Sequence, residues 1–394
     1  MHISERVAAA TLSGLASFAI LLSGCGGGQS NAIKIGLQGP MTGDYAYEGK
    51  GFENAVRLLA DRANAAGGIL GRPVQLLIED DAGDPTQSAL VAQRLVDGGA
   101  IAVIGAYNST ATEPASEIYN EAGILHITPS STAVRLTQKG FPLFFRVCFV
   151  DDRQGQFAGD FMTQVLGAKR IGILHDNSTY AQGLGEEARR HLERLAVDVA
   201  FYDAINPTDK DFAPILTRIG AQRLDAVFFT GYHSQFGLLM KQSRALGLPI
   251  TWVAGDACNN PVMIEIAGAV NAQGNYVITE PLPKDLDYPE AHDFMAAYAA
   301  RYGEPPASTW TIMAAEAFHV IRTAIEQTGS DDPGVLANHL HTTLKDLNGL
   351  TGPILGFDEK GDRLGTIHLA YRIDGQGHFV VHERQPGEVS AAQD

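Results

Sequence analysis

The fold is indicated by the stretch Val74-Gln75-Leu76-Leu77-Ile78, together with the two segments that follow it. This first run is short and aliphatic, as in a buried strand. The residues from Pro85 to Asp97 have the spacing of an amphipathic helix, and Ile101-Ala102-Val103-Ile104 is a second strand-like run. A strand, a crossover helix and another strand in this order are typical of a parallel sheet. The stretch therefore predicts an α/β fold.

The same alternation occurs on both sides of this stretch. A strand at Ile33–Leu37 and a helix at 53–66 precede it, and the pattern restarts at residue 170. The second unit has predicted strands at 170–174, 226–229 and 251–253 and predicted helices at 183–195 and 235–246. A later helix at 305–327 and strands near 367–373 complete the pattern. Two similar units in tandem predict two doubly wound, Rossmann-like lobes.

We expect both lobes to be assembled from separate parts of the chain. Lobe 1 would comprise residues 32–150 and 279–356, and lobe 2 residues 151–278 and 357–385. No long polar linker separates the units, so short segments near 146–151, 277–281 and 353–358 would cross between them. Short crossing segments of this kind make a hinge.

The N-terminus has the composition of an export signal. Arg6 supplies a positive charge, and the uncharged apolar run from Val7 to Leu22 is too short to span a bilayer. Leu22-Ser23-Gly24-Cys25 matches a bacterial lipobox, which predicts a signal peptide at 1–24, lipidation of Cys25 and a tether at 25–31. The alternative is an ordinary secretory signal with a chance cysteine. Either interpretation places the protein outside the cytoplasm, and residues 386–394 are expected to form a flexible tail.

Composition excludes several other functions. The net charge is −16 and no basic run is present, which argues against nucleic-acid binding. Cys148 and Cys258 are too far apart in sequence for a disulfide framework and lack the spacing of metal ligands. Each is better explained as a small buried residue. We therefore expect no metal and no cofactor.

The sequence contains no recognisable catalytic motif. Gly-x-Ser-x-Gly and His-Glu-x-x-His are both absent. His175-Asp176, at the end of a predicted strand, could be half of a catalytic triad, but it is better explained as a pair that caps the following turn. The chain is therefore not predicted to be an enzyme.

Many ordered motifs make the chain resemble the branched-chain amino-acid-binding proteins, the leucine/isoleucine/valine-type periplasmic receptors of ABC importers. They run collinearly from about residue 31 to residue 385 and include Gly39-x-Met41-Thr42-Gly43, Asn64-Ala65-Ala66-Gly67-Gly68, Asp80-Asp81-x-x-Asp84-Pro85, Gly123-Ile124-Leu125, Phe145-Arg146, Tyr180-Ala181-x-Gly183, Gly231-Tyr232-His233 and Gly356-Phe357-Asp358. The resemblance implies a type I periplasmic binding protein fold, with a three-segment hinge and the ligand between the lobes.

The predicted carboxylate site lies at two adjacent strand ends. We expect a helix to begin near Thr112-Glu113-Pro114, so that its N-terminal amides and nearby hydroxyls can bind an anion. The resemblance implies that Ser109 and Thr132 hold the ligand's α-carboxylate and that Ser130 contributes main chain. The alternative for all three is helix capping, which serine and threonine favour.

The rest of the predicted ligand site lies in the second unit. The resemblance implies that Tyr180 and Tyr232 close over the ligand and that Asp256 receives its ammonium group. A buried cation needs an opposite charge, which agrees with this assignment. The alternatives are an exposed loop carboxylate for Asp256 and ordinary core or surface aromatics for the two tyrosines.

The predicted side-chain pocket departs from the family pattern. Glu48, Tyr107, Asn108 and Ser308 replace residues that are mostly apolar in the family, and Gly83 and Asn108 replace a cysteine pair found in some relatives. Polar groups left unpaired around a leucine side chain would be costly. We therefore expect a ligand with a polar, basic or larger side chain, with Glu48 as a possible partner.

These observations predict a lipid-anchored, monomeric solute-binding protein. It would deliver an amino acid to the permease and ATPase subunits of an ABC importer and would contact the membrane through its anchor alone. The alternatives are a sensor or receptor with the same two-lobed fold, an exported enzyme, or binding of another solute such as γ-aminobutyrate or urea.

Overall fold

The computed structural model describes residues 32–387. The predicted signal peptide, the predicted lipidation of Cys25, its tether and the last seven residues of the predicted tail lie outside the described residues. Within the described part, the chain forms two separate sheets whose strands are mostly parallel. The α/β fold predicted from the sequence is therefore confirmed.

The first sheet contains five strands in the order β2-β1-β3-β4-β5, and all of its pairings are parallel. Its strands are β1 Ile33–Gly39, β2 Val74–Asp80, β3 Ala102–Ile104, β4 Leu125–Thr128 and β5 Phe144–Arg146. The helices of this part of the chain are α1 Ala46–Ala65, α2 Pro85–Asp97, α3 Ser109–Ala122 and α4 Arg135–Gln138.

The second sheet contains seven strands in the order β12-β11-β10-β9-β8-β6-β7. Its strands are β6 Arg170–His175, β7 Asp198–Ala204, β8 Ala226–Thr230, β9 Trp252–Ala254, β10 Tyr276–Thr279, β11 Leu369–Ile373 and β12 Phe379–Val381. Only the pairings of β10 with β11 and of β11 with β12 are antiparallel. The helices that accompany this sheet are α5 Asp151–Asp160, α6 Thr179–Arg194, α7 Ala213–Ala221, α8 His233–Ala245, α9 Pro261–Ala267 and α10 Ala269–Ala272.

Three later helices return to the first sheet. They are α11 Pro289–Tyr302, α12 Thr309–Thr328 and α13 Pro333–Thr342. Helix α12 packs along α1 and reaches β3 and β4, while α13 packs against α12 and β4. The chain therefore passes from the first sheet to the second after β5, returns after β10, and passes again between α13 and β11.

A buried ion pair ties the first passage to the third. Arg146, at the end of β5, is fully buried, and its Nε lies 2.5 Å from Oδ1 of Asp362. Its guanidinium also donates to the carbonyl oxygens of Ser131 and Ala133. Arg363 donates to the carbonyl oxygen of Val147 across the same two segments. These contacts hold the passages side by side, where a hinge between two lobes would lie.

The predicted start of α3 was wrong. The helix begins at Ser109 rather than near Thr112, because the side chain of Asn108 accepts a hydrogen bond from the amide of Ala111 and caps the first turn. Pro114 consequently lies inside the helix and not in its first turn.

None of the helices between residues 32 and 387 is long and apolar enough to cross a membrane.

Candidate functional site

A small cavity lies where elements of the two sheets meet. Its free volume is about 10 Å³, and its walls combine aromatic, hydroxyl and carboxyl side chains. The lining residues are Tyr107, Ser109, Ser130, Tyr180, Tyr232, Asp256, Ala257 and Trp310. They follow the carboxyl ends of β3, β4, β8 and β9 or lie in the first turns of the helices α3, α6 and α12. This position is typical of ligand sites in open α/β sheets.

Two serine hydroxyls form one side of the cavity. Ser109 is the first residue of α3, and its Oγ accepts a hydrogen bond from the amide of Ala133 at 3.3 Å. The Oγ of Ser130 donates to the carbonyl oxygen of Tyr107 at 2.8 Å. The cap of α3 is Asn108, so capping does not account for Ser109. The start of a helix beside two hydroxyls is suited to a carboxylate.

Thr132, the third residue predicted to hold the carboxylate, lies behind this wall. Its side chain is buried, its hydroxyl has no hydrogen-bond partner, and it does not line the cavity. The hydroxyl lies beside the carboxyl of Asp151 and lowers its pKa. The structure therefore brings Ser109 and Ser130 to the cavity and places Thr132 toward the acidic residues described below.

Four tyrosines link the two sides of the cavity. The rings of Tyr180 and Tyr232 are 5.4 Å apart, and Tyr232 packs 6.1 Å from Tyr107 and 4.8 Å from Tyr45. Tyr45 and Tyr107 belong to the first sheet's side and Tyr180 and Tyr232 to the second. The hydroxyls of Tyr107 and Tyr180 are buried without a hydrogen-bond partner. These aromatics form the contact between the two sides and leave polar groups facing the site.

Asp256 supplies the cavity with a carboxyl group. It follows β9 in a short helical turn and is 1 % exposed, which rules out an exposed loop carboxylate. Its Oδ2 has no hydrogen-bond partner. Burial raises the pKa of Asp256 to about 7, against the lowering effect of the nearby Tyr180 and Gln154 side chains. Such a carboxyl is ready to accept a cationic group.

Two further buried carboxyls, not identified in the sequence, lie close to Asp256. Asp151 begins α5, and burial with the nearby charge of Asp256 raises its pKa well above the ordinary value. Glu280 follows β10, and the same two causes raise its pKa to about 8. Asp151 and Glu280 each lie in a segment that the sequence predicted to cross between the lobes. A charged residue in such a segment was the only sign that could have identified them.

Glu48 lies elsewhere, behind the cavity wall. Its carboxylate accepts hydrogen bonds from Nδ2 of Asn260 at 2.6 Å and from Oγ of Ser308 at 2.7 Å. All three side chains are buried, and none of them lines the cavity. Burial raises the pKa of Glu48 to about 7, although both hydrogen bonds lower it. The side chains of Ser308 and Asn260 therefore provide the hydrogen-bond donors that the buried carboxylate of Glu48 needs.

Asn108 is also satisfied by the protein. Its amide nitrogen donates to the carbonyl oxygen of Gly83 at 3.1 Å, while its amide oxygen caps α3. Gly83 and Asn108, the two positions expected from the resemblance to replace a cysteine pair, are thus joined by a hydrogen bond. Of the four residues predicted to line the side-chain pocket, the structure places only Tyr107 at the cavity.

The remaining polar candidates have structural roles. Nδ1 of His175 accepts from the amide of Asn177, and Oδ1 of Asp176 accepts from the amide of Ser178, as expected for a turn cap. Cys148 and Cys258 are buried and not in a disulfide, which confirms their prediction as buried residues. Across residues 32–387, no group of acidic, histidine or cysteine side chains has the arrangement of a metal site.

The fold and the cavity agree with a comparison to known families. A family described as periplasmic binding protein matches residues 32–374. The chain belongs to this family. Its two-sheet architecture is accordingly a type I periplasmic binding protein fold, and this periplasmic binding protein is a solute-binding protein and not an enzyme.

Amino-acid-binding proteins of two bacteria are similar to this chain over most of its length. A leucine-, isoleucine-, valine-, threonine- and alanine-binding protein of Pseudomonas aeruginosa is 33% identical over 92% of this chain and 93% of its own. A Leu/Ile/Val-binding protein of Escherichia coli is 35% identical over 84% of this chain and 88% of its own.

Solved structures show the same fold. The leucine-binding protein LivK of Thermotoga maritima has a TM-score of 0.83 at 29% identity, covering 90% of this chain and 99% of its own. LivJ of Streptococcus pneumoniae, in complex with isoleucine, has a TM-score of 0.81 at 28% identity, covering 89% of this chain and 100% of its own.

Proposed function

We propose that this periplasmic binding protein is the extracytoplasmic, lipid-anchored receptor of an ABC importer and captures an amino acid between two lobes. One observation carries the proposal. One cavity is lined both by Asp256, whose Oδ2 has no hydrogen-bond partner, and by the hydroxyl residues Ser109, at the start of α3, and Ser130. An amino acid carries the two complementary charges. The relatives named for the amino acids that they bind support this assignment.

In this mechanism, the ligand first binds the side of the cavity formed by the first sheet. Ser109 and Ser130, with the N-terminus of α3, would receive the α-carboxylate. Asp256 would then receive the ammonium group, while Tyr180 and Tyr232 cover the ligand. Because these three residues come from the second sheet's side, they gain ligand contacts only when the two sides approach.

The side chain of the ligand would face an aromatic wall. Tyr107, Tyr232 and Trp310 line the cavity, whereas Glu48, Asn108 and Ser308 are hydrogen-bonded within the protein. The expected cost of leaving these three polar groups unpaired against leucine is therefore absent. Aliphatic amino acids remain candidates beside the polar and basic ones, and the ligand must be identified by experiment.

Closure would be supported by hydrogen bonds between the two sides. We assign residues 32–150 and 279–356 to lobe 1, and 151–278 and 357–385 to lobe 2. Asn260 donates to Glu48, and the amide of Thr179 donates to Oγ1 of Thr110 at 3.1 Å. Both hydrogen bonds join these lobes, so both would break on opening. The closed monomer would deliver its ligand to the permease and ATPase subunits.

A thermal-shift screen followed by calorimetry tests the proposal. The probes are the twenty amino acids, γ-aminobutyrate and urea, each added to the purified protein. We expect at least one amino acid to raise Tm by several degrees and to bind with a stoichiometry of one. A screen in which no amino acid binds, or in which only urea binds, would contradict amino-acid capture.

The importer assignment and the anchor need separate tests. Genes for a permease and an ATPase beside this gene, and uptake of the ligand that depends on them, would support transport over signalling. Cys25→Ala should release the protein from the membrane fraction if Cys25 carries the lipid. A variant that stays in that fraction would contradict the lipid anchor without affecting the ligand assignment.

A further inference from the structure

The carboxylate of Glu48 joins elements that belong to the two different sheets. Glu48 lies in the first turn of α1, which packs against β1 and β2 of the first sheet. Asn260 precedes α9, which packs against α8 on the side of the second sheet. Ser308 precedes α12, which packs along α1. One hydrogen bond of the carboxylate therefore connects the two sides, and the other stays within the first side.

Both donors to this carboxylate are held in place by a second hydrogen bond. Oδ1 of Asn260 accepts from the amide of Val262 at 2.9 Å and caps α9, which directs Nδ2 to Glu48 at 2.6 Å. Oγ of Ser308 accepts from the amide of Trp310 at 3.1 Å and donates to Glu48 at 2.7 Å. Glu48, Asn260 and Ser308 are each at most 1 % exposed. The helix caps thus orient both donors toward a carboxylate that water does not reach.

A second contact between the two sides is weaker by the same criteria. The amide of Thr179 donates to Oγ1 of Thr110 at 3.1 Å, and Nη2 of Arg135 donates to Oγ1 of Thr179 at 2.8 Å. The side chain of Arg135 is 51 % exposed, so water competes for it. A short, fully buried hydrogen bond to a charged group is worth more than a neutral or exposed one. The bond between Glu48 and Asn260 is therefore the strongest of these contacts.

The two residues of this bond lie next to parts of the ligand site. Asn260 is four residues after Asp256, and every residue of the segment 256–260 is buried. Ser308 is two residues before Trp310, which lines the cavity. Glu48 itself does not line the cavity. A movement that brings Asp256 toward a ligand therefore also brings Asn260 toward Glu48.

We propose that Glu48 is a positioning residue and that Glu48 and Asn260 form a latch, which engages when the two sides close and sets the lifetime of the ligand-bound form. This inference rests on the proposed function. Opening would return the carboxylate to water, whereas closing without the donor of Asn260 would bury it with an acceptor unpaired. The latch touches no ligand, so it slows the release of every ligand by the same factor.

Asn260→Asp tests the latch with the cap of α9 retained. One oxygen of the new carboxylate can still accept from the amide of Val262, while the other would face Glu48. We expect the ligand to dissociate about tenfold or more faster at pH 8, where two buried carboxylates repel each other. Stopped-flow fluorescence measures the rate with the two amino acids that bind most tightly among the twenty in the screen.

Asp332→Asn is the matched control. Asp332 caps α13, which also begins with a proline, but it is exposed and its side chain accepts from the amide of Val335 in the same helix. The dissociation rate of this variant should equal that of the unmodified protein. An unchanged rate in Asn260→Asp as well would overturn the latch, while the proposed function would stand.

A reciprocal exchange separates the latch from a general loss of structure. In the double variant Glu48→Gln and Asn260→Asp, the new amide can donate to the new carboxylate and its oxygen can accept from Ser308. All three side chains are then paired again, so we expect a dissociation rate within about threefold of the unmodified protein. A double variant that releases the ligand as fast as Asn260→Asp alone would overturn the inference.

The choice of ligand gives a last distinction. The latch predicts that Asn260→Asp accelerates the release of both amino acids by the same factor, within about threefold. A change confined to one amino acid would mean that Glu48 or Asn260 contacts the ligand side chain, which would overturn the latch and leave the proposed function intact. If no amino acid binds the unmodified protein, the proposed function fails and this inference fails with it.

Discussion

Two buried carboxyl sites near the cavity differ in their hydrogen bonding. Glu48 is fully buried and accepts hydrogen bonds from Asn260 and Ser308, so the protein itself completes its environment. Asp256 is equally inaccessible, yet one of its oxygens has no donor. The difference shows that burial of a charge does not by itself mark a binding group. An unsatisfied acceptor at a cavity is the feature on which we base the proposed binding role of Asp256.

The largest expected effect is on ligand binding at Asp256. Asp256→Ala should weaken binding of the amino-acid ligand about 100-fold or more, because a desolvated ammonium group would lose its charged partner. Calorimetry with the ligand found in the screen measures the loss. Asp256→Asn is the control that keeps the shape, and it should lose most of the same affinity. Retained affinity in both variants would remove Asp256 from the site.

The second effect is on stability at Glu48. Glu48→Ala should lower the free energy of unfolding of the ligand-free protein by about 1–3 kcal/mol, because it leaves Ser308 buried without its acceptor, and Asn260 as well in the closed form. Urea unfolding followed by circular dichroism measures the change. Glu48→Gln keeps one acceptor and should lose less. Unchanged stability, or a changed order of ligand preference, would mean that Glu48 belongs to the ligand site after all.

The third effect is a dependence of stability on pH. Burial raises the pKa values of Glu48 and Asp256 to about 7 and that of Glu280 to about 8. Their folded-state pKa values thus lie above the unfolded values, so the folded protein holds protons that the unfolded chain has released. The free energy of unfolding therefore falls as the pH rises toward and through the folded-state pKa values, where the folded protein releases these protons.

Between pH 6.5 and 8, the loss from the buried carboxyls outweighs the opposite contribution of the buried histidines. His126, His233 and His368 act in the opposite direction, because burial lowers their pKa values to between about 3 and 4. We expect the free energy of unfolding to fall by about 1 kcal/mol or more between pH 6.5 and 8. Urea unfolding at both pH values measures the fall, and Glu280→Gln should reduce it. Stability that rises over this window would contradict the assigned shifts.

The smallest effect is at Asn108. Asn108→Ala should lower the free energy of unfolding by about 1 kcal/mol through loss of the cap of α3. Ligand preference should not change, because the side chain is used by Gly83 and Ala111. Asn108→Asp retains the cap and should lose less. A change in the order of ligand affinities would show that Asn108 contacts the ligand.

The sequence predicted the parts of the fold that depend on local pattern. Aliphatic runs located the largely buried strands β1 and β8 and the half-buried strand β2. The edge strand β7 was not predicted, although Val199-Ala200-Phe201-Tyr202 is a short apolar run within it. The start of α3 was misplaced because Pro114 was given more weight than the capping side chain of Asn108.

The environment of each site residue depended on contacts between distant segments. Glu48 meets Asn260 and Ser308 across 212 and 260 residues, so its partners could not be read from its own surroundings in the sequence. Asp151 and Glu280 are far from Asp256 in the sequence, so its effect on their pKa values could not be read from their own surroundings. Whether a polar residue is free for a ligand or satisfied by the protein is a tertiary property.

The position of Trp310 gives this protein a built-in optical reporter. The chain has only two tryptophans. Trp252 is buried in the core of the second sheet, where its indole donates to Ser243, and Trp310 begins α12 at the cavity wall. In a Trp252→Phe background, the emission would come from the cavity alone. Filling of the cleft would then be followed in real time by stopped-flow fluorescence, without any attached dye.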